Sequence, residues 1–429
     1  MKTRSLALAG LALLAVSGSL AVGMSAAASS TIVVDASGGP GATFTALQPA
    51  INAAQPGDLI LVRPGNYGNF SMKKPLKILG EEGARVNNGV IQGVGGLTLL
   101  ADLEFRDLII RNSSGTVVLD RLWGWNTSLK GQAEILVNNC DDVRMYQLDQ
   151  FFGGSNGKRP QIIARASRVE ITLSSLEGNR GADSNQVFGY AGAGGDAIVV
   201  EQDGYLHLTR SQVAGGRGGN GTHPFSGYGG DGGTALEIEA GEVLITGRGV
   251  ELIEGGRGGN GGGSGQLGYG GSGGDGIVVS STSAVRYSGV LPMSGSGGMV
   301  NGGGGKALDP APGAGVKQPN FDDPSLEHLG EPLPGAILTV KLRSKPGTYS
   351  RLFWGTTPTV QPSAGVLVDK LVVKEATIPI GIVPASGVLT TPFMIDPSLP
   401  PGSTIFLQAM SIFPSGKIRR TNSVPIVVR

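Results

Sequence analysis

Apolar and polar residues alternate in short runs along most of the chain, and from Ile162 to about Ala307 each run is followed by a loop built mostly of glycine. Alternation with a period of two predicts strands that bury one face. The loops recur: Gly215–Asn220 and Gly255–Asn260 both read GGRGGN, roughly 40 residues apart. Asn179–Asp183 is a degenerate copy of the same text. Each loop returns through an aromatic, Tyr190, Tyr228 or Tyr269, and leads into a further strand, AIVV, ALEI or GIVV. A fixed period of this size marks a stacked architecture in which no repeat can bury its apolar face alone.

Stacking converts sequence offset into columns of side chains. Val143–Tyr146, Val169–Thr172, Leu206–Thr209, Val243–Thr246 and Val285–Ser288 align, with the first and third residue of each pointing inward. One outer column then reads Arg144, Glu170, His207, Leu244, Arg286; its neighbour reads Asp142, Arg168, Tyr205, Glu242, Ala284. Coils stack about 4.8 Å apart, so residues of one column lie within reach of each other. Upstream of Val143 the register stays open, because Leu108 and Leu122 are too close to be one coil apart.

The start of the repeat region carries the most specific text. Thr31–Asp35 reads as a strand, Phe44–Ala54 has apolar residues at helical spacing, Gly57–Val62 returns to strand, and Pro64–Tyr67 turns. A short amphipathic helix here is a cap over the open end of the stack. Phe44–Tyr67 resembles the opening of pectin-lyase-like proteins, which implies an all-β, right-handed parallel β-helix with Gly-rich loop insertions. The resemblance does not extend to enzymatic motifs. Pectin methylesterases carry "DFIFG" and "LGRPW"; the nearest text here is Asp149–Gly153, and nothing matches the second. No calcium-and-base cluster of the pectate lyase kind can be assigned either, so no catalytic residue carries over.

Composition changes near Pro310. Residues 310–334, rich in Pro and Asp, read as a linker. Residues 335–429 hold short strands separated by turns, including Ala336–Val340, Arg351–Trp354, Gly365–Val373, Thr377–Ile382, Ile405–Ile412 and Val424–Val428; they predict a small C-terminal β-sandwich. Its closing text resembles C-terminal modules of secreted proteins from environmental bacteria. At the other end, Lys2 and Arg4 precede an apolar run broken by small residues, with Ala26–Ala28 as a cleavage region. Residues 1–28 therefore read as a signal peptide and 29–309 as the capped β-helix domain, which implies a secreted or cell-envelope protein with no membrane span after cleavage. Cys140 is the only cysteine, so an intramolecular disulfide is excluded. Formal net charge is +1, which leaves no basic field for nucleic acid.

The outer columns supply the candidate chemistry. Arg144, Tyr146, Arg168, Glu170, Tyr205 and His207 form a polar patch suited to a glycan, since arginine grips carboxylates in two-pronged fashion and tyrosine stacks on sugars. The competing reading is a solvated sheet face with cross-strand charge pairing. Gly270–Ile277 fits the calcium pattern G-G-x-G-x-D-x-U, and Ala191–Ile198 fits it with one departure, which makes Asp196 and Asp275 candidate Ca2+ ligands. Thr234 breaks the aspartate column, and calcium wants six to eight oxygens, so the favoured expectation is no cofactor and glycines that serve close stacking and positive φ. Arg180, Arg217 and Arg257 recur in the loops, placed either for an acidic polymer or for loop carbonyls. Trp123 and Trp125 share one strand face, placed for sugar stacking or for core packing. Three function classes follow: a non-catalytic extracellular scaffold that binds polysaccharide on its outer sheet, a lyase or hydrolase of acidic glycan, and a purely structural envelope protein.

Overall fold

The computed structural model describes residues 30–124, 134–149, 151–152, 160–187, 189–223, 227–247, 252–262, 268–288, 291–299, 302–317, 323–361 and 368–429. The leader-like segment and Trp125 lie outside these. Strands from Thr31–Val34 to Gly315–Lys317 pair in parallel, each with the equivalent strand one coil away, and form a parallel β-helix. The helix Leu47–Ala53 buries Leu47, Ala50 and Ile51 into the interior at the first coils.

The expected register is the observed one. Val143, Val169, Leu206, Val243 and Val285 are successive partners and form one fully buried inner column. Each such side chain contributes about 1.5–3 kcal/mol by leaving water. Upstream, the open register resolves into Leu108 opposite Ile135 and Val117 opposite Val143, both within the long strand Glu104–Asp120. That strand turns a corner at Asn112, whose φ is 51°. Two columns of such left-handed residues bend five successive coils: Gly93, Asn112, Asn139, Ala166 and Gln202 at one corner, and Asp102, Arg121, Gln147, Leu173 and Arg210 at the other.

The glycine loops form an arm that leaves the coil and returns. Its backbone bonds repeat every third residue: Gly215, Gly218 and Gly221 donate to Glu254, Arg257 and Asn260 of the next coil, while Gly216 and Gly219 donate to Gly195 and Gly192 of the previous one. A period of three with every bond made to another chain segment is the packing of polyproline-II-type strands, where only glycine fits the interior. The glycines of the GGRGGN repeats have no positive φ. Their role is space: a Cβ on Gly216 would overlap the Asn179 carbonyl, and one on Gly230 the Gly192 carbonyl. The expectation of close stacking therefore holds, and that of positive φ does not. Side chains sit on the arm's two faces, with Tyr190, Tyr228 and Tyr269 stacked at centroid distances of 4.7 and 6.1 Å.

The segment expected as a linker carries strands. Leu308–Pro310 and Gly315–Lys317 add to the β-helix, and Ser325–Leu329 pairs antiparallel with Ile337–Arg343 of the C-terminal module. That module has one sheet of Ser325–Leu329, Ile337–Arg343 and Val388–Met394 and another of Ala376–Ile382, Tyr349–Gly355, Thr404–Ile412 and Ile418–Val427. Leu338, Val340 and Phe393 from the first share a core with Leu352, Leu407 and Val424 from the second, which makes it a sandwich.

Candidate functional site

The strand that carries Arg144 and Tyr146 also carries inner residues Val143 and Met145, so alternation sends the two polar side chains outward. The pairing extends this outer column in both directions: Leu59, Lys77, Leu99, Val118, Arg144, Glu170, His207, Leu244 and Arg286. The C-terminal module sits on it. Leu59, Leu99 and Val118 pack against Val372, Phe406 and Val427, and Leu244 packs against Val368 and Leu371.

All six residues expected to meet a glycan are brought together, and the module covers them. Arg144 is only 2% exposed. Its guanidinium is paired with Asp142 at 2.8 Å and donates to the carbonyls of Leu371 and Thr359 and to the Ser423 hydroxyl. Glu170 accepts from the Ser423 backbone N–H at 2.9 Å, and its Oε1 lies 3.6 Å from His207 Nδ1. Burial alone would raise the Glu170 pKa; His207, Arg144 and the Ser423 N–H overcome it and hold the carboxyl below its ordinary value. His207 is fully buried, with Nε2 at 2.8 Å from the Thr246 hydroxyl. Arg168 pairs with Asp369 at 3.0 Å and lies over the Tyr205 ring. Tyr146 stacks on His328 at 5.5 Å, and burial pushes its hydroxyl pKa up. The patch is therefore a correction to the exposure expected of it: its hydrogen-bond and charge partners come from its own strands and from the chain's own module, and a glycan has no path to Arg144, Tyr146, Glu170 or His207.

The sequence held one signal of this. Leu59–Val62, Thr98–Ala101 and Thr116–Asp120 are apolar on both faces, the pattern of strands covered on each side. The partners on the module, Asp369, Ser423 and His328, carry no comparable mark.

The candidate calcium ligands act in the arm. Asp196 accepts the backbone N–H of Thr234 at 2.7 Å and Asp275 that of Lys306 at 2.5 Å, each across to the next coil. Asp231 does the same for Ser272 at 2.8 Å. Asp196 is half-buried beside Glu237, and burial together with the Asp196 charge pushes the Glu237 carboxyl up to about 7. Among the described residues no three His, Cys, Asp or Glu side chains converge on a metal position. In the arginine column, Arg180 pairs with Asp183 at 2.7 Å, and the Asp183 carboxylate also takes the Asn220 N–H. Cys140 is buried.

Beside the module runs an open cleft that sequence reading did not single out. It follows the Asp102–Arg210 corner of the coils and is walled on one side by Leu329–Pro332 and Arg429. Trp123 lies in it, half-buried, with Glu104 and Asp149 as its partners in adjacent coils. Arg121 links the two walls through Asp102 at 2.7 Å and Glu331 at 3.0 Å.

No family model matches the chain. No curated protein matches it. Among solved structures, it is similar to the receptor-binding protein of bacteriophage Det7, described as a podoviral tailspike in a myovirus, at 11% identity, with 93% of this chain and 98% of that chain covered and a TM-score of 0.26. The β-helix here rests on its own strand register, coil by coil.

Proposed function

We propose that this chain is an exported, secreted or cell-surface β-helix protein of the pectin-lyase-like kind, serving as a rigid non-catalytic scaffold that holds extracellular polysaccharide on its exterior. One observation supports this reading best. Glu170 and His207, a neighbouring carboxylate and imidazole of the type that performs acid–base chemistry, are sealed under the module and spent on structural contacts, whereas catalysis needs such groups within reach of substrate. Export is inferred from the leader text of residues 1–28. Among the described residues no helix is long and apolar enough to cross a membrane. The test is a panel of neutral and acidic polysaccharides incubated with the purified chain, following retention and unsaturated or reducing-end product together. Retention without product is expected; product formation at turnover would establish the lyase or hydrolase instead.

A further inference from the structure

We propose that the cleft beside the module is a binding site for an uncharged oligosaccharide, with Trp123 as its stacking platform. This deepens the scaffold reading and rests on it. The cleft has two lobes that share Arg121 and Trp123, one of about 770 Å³ towards Gly80–Arg85 and one of about 470 Å³ towards Asp149 and Gln212. Both volumes fall within the range of about 300–1,000 Å³ usual for small-ligand sites. An indole at the junction of the two lobes presents apolar surface to the C–H face of a sugar ring, while the polar side chains among the lining residues meet its hydroxyls.

Charge decides the class of sugar. Every arginine lining the lobes is already engaged: Arg121 as described, Arg85 by Glu104 at 2.7 Å, Arg429 by Asp102 and Asp120 at 2.7 Å each, and Arg210 by Glu327. Among the described residues no lining guanidinium is left over to grip a uronate or sulfate. Glu82 and Asp149 stand exposed in the same cleft and would repel one. Hydroxyls suit the remaining groups, because the Asp149 carboxylate accepts and the amides of Gln147 and Gln212 both donate and accept.

The experiment is affinity electrophoresis and calorimetry of the intact chain against neutral glucans, mannans and galactans, with polygalacturonate and alginate as the acidic arm. Retention by at least one neutral polymer, unchanged by added sodium chloride, is expected, with none by the acidic pair. Trp123→Ala should weaken it at least about tenfold and Trp123→Phe restore most of it. Gln212→Ala, at an exposed position, serves where Trp123→Ala fails to fold and should weaken retention roughly threefold. Retention that survives both alanine variants overturns the site and leaves the scaffold reading standing. Preference for the acidic polymers overturns the uncharged assignment, and retention by none overturns site and scaffold reading together.

Discussion

At the scale of single residues, space and desolvated charge decide most of what is seen. Glycine in the arm is demanded by neighbouring carbonyls, so Gly230→Ala should destabilise the chain by about 1–3 kcal/mol, read as a lower melting temperature with the β-sheet circular dichroism retained. Arg144 is the opposite case, a large charged side chain held by four partners in a buried interface. Arg144→Ala leaves Asp142 and Glu170 buried without their cation and should cost about 3–5 kcal/mol in a denaturant titration. His328, stacked on Tyr146, has its pKa lowered to about 4 by burial and by the charges of Arg429 and Arg121, against the opposing pull of Glu331 and Glu327. The unfolded chain takes up that proton first, near pH 6.5, so stability is full above that pH and falls as pH drops towards 4, by up to about 3 kcal/mol. Melting curves across that window should show a slope that His328→Phe reduces.

At the scale of elements, much was legible. Strand register from Val143 to Val285 followed from alternation and repeat offset alone, because a one-residue slip would turn Val169 and Leu206 out of the interior. The helix Leu47–Ala53 and the strand Leu59–Val62 were equally plain from their periods. The arm was legible as a repeat but not as a lattice. Glycine text does not say whether the missing Cβ serves a left-handed turn or a close approach, and here it serves the second. The aspartates show the same limit. Asp196 and Asp275 match an ion-binding pattern in type, yet each spends its carboxylate on a backbone N–H of the next coil. Millimolar calcium should therefore leave the melting temperature unchanged, measured against a chelator-treated control. A calcium-dependent rise would show ions bridging the arm.

At the scale of the whole molecule, the two modules share one buried interface. The outer column passes from Leu59, Leu99 and Val118 to Arg144, Glu170 and His207, and the module answers it with Val372, Phe406 and Val427 and then with Ser423 and Asp369. A charged surface chosen from sequence as a ligand site was thus an internal contact, because the columns show which residues share a face and nothing about what lies on it. The cleft was hidden for the same reason, since its second wall comes from residues more than two hundred positions away from Arg121, as the Arg121–Glu331 pair illustrates. The module seals this face, and hydroxyl-radical footprinting of the intact chain reads that seal out residue by residue. Tyr146 should stay protected while Tyr190, 79% exposed on the arm, is labelled rapidly; labelling of Tyr146 at a rate comparable to Tyr190 would contradict the account.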